Sequence, residues 1–250
     1  MTTPADAFDQ HGFDIRLGWG IDGLKALRPA AAAVVVVDVL SFSTCVDVAT
    51  ARGATVLPYH GPAEAVKGYA RRYAAVAAGR RGGTGIPWSI SPSSLTSIPP
   101  NTRLVLPSPN GSRLSTEAAG AGIVTVGCLR NASSVGGALR DGPFPIAVIA
   151  AGERWGHTEG ALRPAVEDLI GAGAIVAALG LPSCSPEARA AQAVFEAARP
   201  YLGEHLRNSA SGRELIEQGF EADVEIASQD DRSDTVPVLL DGAFVDRRRR

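Results

Sequence analysis

Cysteine is scarce in this chain. Three residues in 250, Cys45, Cys128 and Cys184, are an odd number without the spacing of a metal site or a disulfide framework. Long apolar runs are missing too, and Asp6, Asp9 and Asp14 are wrong for a secretory leader. The expectation is a protein of the reducing cytoplasm, with no membrane partner. Charge of one sign is also lacking. The formal net charge of −2 gives no bulk attraction to nucleic acid or lipid. The basic–aromatic interleaving of a nucleic-acid binder is absent, so no nucleic-acid partner is expected. The one basic cluster, 247–250, follows Asp246 and reads as a solvated tail.

Several phosphate-handling motifs are missing as well. Without Gly-Lys-Ser/Thr there is no Walker loop, and Gly79-Arg80-Arg81-Gly82-Gly83 lacks both the lysine and a preceding strand. Six residues after Cys128 stands Ser134, where a cysteine phosphatase needs arginine. Two residues after Asp38 stands Leu40, where an aspartyl-phosphate enzyme of the haloacid-dehalogenase type needs a second aspartate.

What the chain does have is a strong organising stretch, Val34-Val35-Val36-Val37-Asp38-Val39. Four valines without alternation predict a strand buried on both faces. Asp38 stands at its carboxyl end, followed by Ser41, Ser43 and Thr44, which suit a tight turn and a helix N-cap. In open α/β sheets, ligands collect where strands end and helices begin. Asp38 is therefore placed to handle a metal or a phosphoryl group, or else simply caps the helix over 43–51.

Strand, turn and helix then recur. Strands are expected at 54–57, 103–106, 123–126 and 146–150, with helices at 112–120, 131–139 and 163–170. Residues 174–179 read as helix or strand. Further on, a Ser185-capped helix runs to 199, 212–218 reads as helical, 224–227 as extended and 236–240 as a final strand. A short edge strand at 14–17 and a helix at 20–27 precede them. This pattern predicts a three-layer α/β/α fold with a largely parallel or mixed central sheet. Residues 1–30 form an N-terminal segment, its first ten loosely attached. Residues 31–245 form the α/β domain and 246–250 a basic tail. The irregular stretch 79–101 marks either a functional segment or a split into two lobes, and Trp88 within it calls for a packing partner. The alanine-rich helices suit either a core or a homodimer face.

The turns supply the chemistry. Asn110, Gly111 and Ser112 offer close backbone approach and side-chain donors to an oxyanion. Arg130 and Asn131 add a charge and an amide suited to phosphate or sulfonate, and Arg154 a second charge. Asp38, Glu153, Glu167 and Asp168 are four carboxylates at strand ends or on the helices that follow, a donor set that suits Mg²⁺. His157 is a candidate general acid for a leaving oxygen, and Cys128 is either a buried small residue or a nucleophile.

Taken in order, the Asp38–Thr44 segment, Asn110-Gly111-Ser112, Asn131-Ala132-Ser133, Glu167-Asp168 and Gly171-Ala172-Gly173 resemble the 2-phosphosulfolactate phosphatase (ComB) family. The resemblance spans 34–244. It implies an α/β/α phosphatase that uses Mg²⁺ to hydrolyse 2-phosphosulfolactate, a small anionic phosphate ester, to sulfolactate and phosphate. It also implies Asp38, Ser43, Thr44, Asn110, Gly111, Ser112, Asn131, Glu167 and Asp168 as site residues. Three departures stand out: Ser41 where the family has arginine, Arg80 where it has an acid, and Ser89-Ile90-Ser91-Pro92 where it ends a segment in Asn-Ser-Pro. They bear on which anion is held. The nucleophile stays open among water at the metal, Asp38 and Cys128. The rival class is a non-catalytic binder of a small phosphorylated or sulfonated anion.

Overall fold

The computed structural model describes residues 8–156 and 160–249. The expectations for the first seven residues and for His157 lie outside them. In chain order the strands are β1 (Ile15–Trp19), β2 (Ala33–Val37), β3 (Thr55–Tyr59), β4 (Val76–Ala77), β5 (Arg103–Pro107), β6 (Ile123–Gly127), β7 (Ile146–Ala150), β8 (Glu153–Arg154), β9 (Leu162–Arg163), β10 (Pro237–Leu240) and β11 (Ala243–Asp246). The helices are α1 (Gly20–Leu27), α2 (Phe42–Ala51), α3 (Val66–Arg72), α4 (Pro92–Leu95), α5 (Gly111–Ala118), α6 (Ala132–Leu139), α7 (Val166–Leu179), α8 (Pro186–Ala198), α9 (Leu202–Asn208), α10 (Ala210–Glu217) and α11 (Glu221–Ala227).

Nine strands form one sheet in the order β1-β7-β2-β6-β10-β11-β3-β5-β4. Strands β1, β7, β2 and β6 pair in parallel, as do β3, β5 and β4. The hairpin β10–β11 joins the two parallel blocks through the antiparallel pairs Val238–Thr125 and Phe244–Val56. Strands β8 and β9 make a separate small ribbon.

Period-two geometry explains why a run of valines belongs at the centre. Val34 and Val36 pack with Leu24, Phe42 and Val46 from α1 and α2 on one face. Val35 and Val37 pack with Val135, Ile170 and Ile175 from α6 and α7 on the other. All four valines are 0 % exposed, so the sheet is covered on both sides and the fold is a three-layer α/β/α sandwich. A smaller cluster of Leu57, Tyr59 and Val105 packs against Ala70 of α3.

Several segments differ from their sequence expectations. Residues 224–227 are helical, in α11, whose first turn carries Glu221 and Asp223 where the helix dipole favours acids. The sheet position they might have filled belongs to the β10–β11 hairpin, so 236–240 is followed by one more strand. Residues 174–179 continue α7. The stretch 79–101 holds a Gly79–Ser89 bridge and α4, and Trp88 packs against the α1/α2 cluster. Near the start, Gln10 satisfies the free edge of β1, donating to the Leu17 carbonyl (2.6 Å) and accepting its N–H (3.0 Å). Gln10 is therefore tied to the sheet edge. At the other end, Arg248 pairs with Asp234 and Asp246, so that side chain is held to the fold.

Close helix packing makes one glycine indispensable. A Cβ on Gly173 of α7 would lie 2.0 Å from the Ala191 carbonyl oxygen of α8, whereas one on Gly68 of α3 would meet nothing within 4 Å. Gly173→Ala should cost at least about 2 kcal/mol, while Gly68→Ala should be neutral or gain up to about 1 kcal/mol. Urea unfolding of the two variants checks this contrast.

Candidate functional site

The exit of β2 gathers the acids. Asp38 Oδ1 accepts the Phe42 N–H (3.1 Å), and Oδ2 accepts the Gly111 N–H (2.8 Å). One carboxylate thus caps α2 and also fastens the turn that opens α5. Gly111 is required for this approach: a Cβ there would sit 2.3 Å from Phe42 Cδ1 and 2.7 Å from Asp38 Oδ2. Asp168 works in the same way between neighbouring strands. Its Oδ1 accepts the Val39 N–H (2.7 Å) and its Oδ2 the Gly152 N–H (2.8 Å), which ties the exit of β2 to that of β7. Beside it, Glu167 is 2 % exposed, and its Oε2 has no hydrogen-bond partner among the described residues. Glu153 holds the rim, accepting from Asn110 Nδ2 (3.1 Å) and from the Arg154 N–H (2.9 Å).

These acids repel one another in a poorly solvated place. Burial pushes the Asp38 carboxyl up to about 6, and the charges of Glu153 and Glu167 add to that against two backbone hydrogen bonds. Burial, with Asp38 and Glu167 nearby, raises Asp168 well above the usual carboxylate range. An unpartnered buried carboxylate oxygen costs free energy unless something else compensates it. That is the site's central electrostatic fact.

Other residues anticipated at the site are brought near it but spend their polar atoms on the scaffold. Ser43 Oγ donates to the Val36 carbonyl (3.1 Å) and accepts the Asp38 N–H (3.0 Å). Thr44 Oγ1 donates to the Val39 carbonyl (2.7 Å), and Ser112 Oγ to that of Leu106 (2.8 Å). All three are fully buried, so their hydroxyls shape the turns rather than face a ligand. Asn131 accepts the Cys128 N–H (2.9 Å). Arg130 is held inside the protein: its Nε pairs with Asp47 Oδ2 (2.7 Å) and its Nη1 bonds Gln229. Asp47 in turn accepts from Thr235 Oγ1 (2.6 Å). Arg130 therefore has two of its nitrogens engaged by neighbouring side chains. Burial pushes the Cys128 thiol up to about 12, which leaves almost no thiolate at neutral pH. Arg154 is half-buried at the rim, where its Nη1 donates to the Gly160 carbonyl (3.0 Å).

Comparison with known proteins gives the family. The profile described as 2-phosphosulpholactate phosphatase matches residues 23–242. The chain belongs to that family. A relative named 2-phosphosulfolactate phosphatase, from Methanothermobacter thermautotrophicus, is 32 % identical over 211 residues, covering 83 % of this chain and 87 % of its own. One from Carboxydothermus hydrogenoformans, named as a probable enzyme of that kind, is 30 % identical over 82 % of this chain and 85 % of its own. A third, from Thermotoga petrophila, is 37 % identical over only 83 residues, and the match spans about a third of each chain, 33 % of this one and 37 % of the relative.

Within this 2-phosphosulpholactate phosphatase fold, Arg81 of the Gly79–Gly83 stretch reaches the segment that follows Asp38. Arg81 Nη2 donates to Ser41 Oγ (2.9 Å), setting a guanidinium beside the position where the family pattern has arginine. Asp223 of α11 pairs with Arg81 at 3.3 Å and accepts from Ser91 Oγ (2.7 Å) and Ser93 Oγ (2.6 Å). Arg81, Ser41 and Asp223 are far apart along the chain, and no local pattern links them.

Among the described residues, no group of three or more His, Cys, Asp or Glu side chains is close enough to cage a metal. Mg²⁺ does not need such a cage: it keeps several waters and takes one or two carboxylates plus substrate oxygens. The carboxylates of Asp38 and of Glu167, whose buried Oε2 has no partner among the described residues, are the donor type that requirement takes.

The raised pKa of Asp38 has a definite sign. Between about 4 and 6 the folded protein keeps a proton on Asp38 that the unfolded chain has released, so the stability this group contributes is full below about 4 and is lost as pH rises through about 6. With a metal chelator present, wild type should lose on the order of 3 kcal/mol across that window relative to Asp38→Asn. Parallel denaturant titrations of the two proteins from pH 4 to 8 measure the difference.

Proposed function

We propose that the chain is a Mg²⁺-assisted phosphatase acting on a small phosphate monoester, by its family 2-phosphosulfolactate, at the exit of β2. Water is consumed, the ester P–O bond breaks, and the products are phosphate and the alcohol, here sulfolactate. The observation that carries this reading is the buried carboxylate group around Asp38, with Glu167 Oε2 left unpartnered.

Mg²⁺, held by Asp38 and Glu167, would supply positive charge to the phosphoryl oxygens. The rest falls to the chain itself. The Phe42 and Gly111 N–H groups fix the Asp38 carboxylate. Asp168 holds the β2 and β7 exits together beneath the substrate. Asn110 orients Glu153, and Arg154 and Arg81 offset the substrate's negative charge. Cys128 takes no covalent part, which leaves water or Asp38 as the attacking group. No helix among the described residues is long and apolar enough to cross a membrane, and the three cysteines are unpaired and buried. A cytoplasmic setting belongs to the same proposal.

Phosphate release from a panel of monoesters, with Mg²⁺ or with chelator, tests the reading. Wild type should turn over only with the metal. Asp38→Ala should lose at least about 10³-fold in kcat/KM, and Cys128→Ser should stay within about threefold of wild type. Ligand-dependent thermal stabilisation without release from any ester would instead identify a non-catalytic anion binder.

A further inference from the structure

Beside the acids lies a cavity of about 480 Å³ at the carboxyl ends of β3, β4 and β5. Its volume falls in the range of small-molecule sites, about 300–1,000 Å³. Its wall is mainly apolar, built from Tyr59, Val66, Ala77, Ile86 and Ile90, while Lys67, Arg80 and Arg81 put three cations around it. Two links connect it to Asp38. Arg81 lines the cavity and donates to Ser41, three residues past Asp38 (2.9 Å). Pro107 also lines it and precedes Ser108, whose Oγ accepts the same Gly111 N–H that bonds Asp38 (3.1 Å).

A three-carbon ester that carries charge at every end would use the three cations of this lining and leave its apolar wall unfilled. Carboxylate or sulfonate oxygens against Val66, Ile86 and Ile90 would lose water and gain no hydrogen bond. An apolar body fits the wall, and an anionic group fits the cations.

We infer that this cavity is a substrate subsite for phosphate monoesters that carry an apolar body and a second anionic group, such as phosphorylated 2-hydroxy acids with aryl or branched side chains. The inference rests on the phosphatase reading for its phosphoryl end, and the cavity supplies the specificity. Arg81, fixed by Asp223, meets the second anion, while Ile86 and Ile90 cover the apolar body.

The test compares 2-phospho-3-phenyllactate with 2-phospholactate, by phosphate release and by calorimetric binding, in the presence of Mg²⁺. Wild type should favour the phenyl ester by about tenfold or more in kcat/KM, a discrimination typical of an apolar pocket. Ile86→Trp, which fills the cavity, should bring that ratio to within about twofold of one. Lys67→Glu with Arg80→Glu, both at exposed positions, should weaken calorimetric binding of the phenyl ester at least tenfold. A wild-type ratio at or below one, or a ratio unchanged by Ile86→Trp, overturns the subsite. If neither ester is hydrolysed, yet the phenyl ester binds more tightly than 2-phospholactate and loses that advantage in Ile86→Trp, the cavity assignment stands and the phosphatase reading falls.

Discussion

The carboxylate of Asp38 is held between two backbone N–H groups, one from the helix that follows β2 and one from a turn more than seventy residues further on. Most of the site depends on that grip. It brings the turn after β5, in the second parallel block, to the exit of β2 in the first, and it requires a glycine at position 111. Asp168 repeats the device between β2 and β7. Two acids therefore do structural work through their hydrogen bonds while their charges, with Glu167 close by, remain uncompensated. Sites of this kind sacrifice stability for chemistry, because like charges gathered out of water favour unfolding until a cation arrives.

The sequence made the architecture legible because its signals were local. Four valines announced a two-face buried strand, Ser185 capped its helix as expected, and the recurrence of strand, turn and helix pointed to an α/β/α sandwich. The misreadings came where context decided. Residues 224–227 look extended in isolation, yet they form a helix whose Asp223 is drawn in to pair with Arg81. For Arg130, read as a phosphate ligand by its place in a turn, the fold adds a buried partner, Asp47, that no local pattern reveals.

The same division runs through the site. Asp38, Glu167 and Asp168 could be named as candidates from a strand end, a helix start and a family resemblance, because each stands at an element boundary that is legible locally. Ser43, Thr44 and Ser112 were legible as turn residues, though not as scaffold, since only the fold reveals that carbonyl groups beneath them take their hydroxyl protons. Arg81 was named only within the Gly79–Gly83 stretch, with no role given to it. It lies 40 residues from Ser41 along the chain, and its placement depends on α11 near the far end.

The central claim is that Glu167 is kept buried among other acids in order to meet a cation. Its most direct test is the thermal stability of wild type and Glu167→Gln at pH 7.5, each measured with chelator and with Mg²⁺. The account predicts that Glu167→Gln melts higher than wild type in chelator, because one buried like charge is gone, and gains little from Mg²⁺, whereas wild type gains several degrees. If wild type is the more stable protein in chelator, or if Mg²⁺ raises both equally, the account is contradicted.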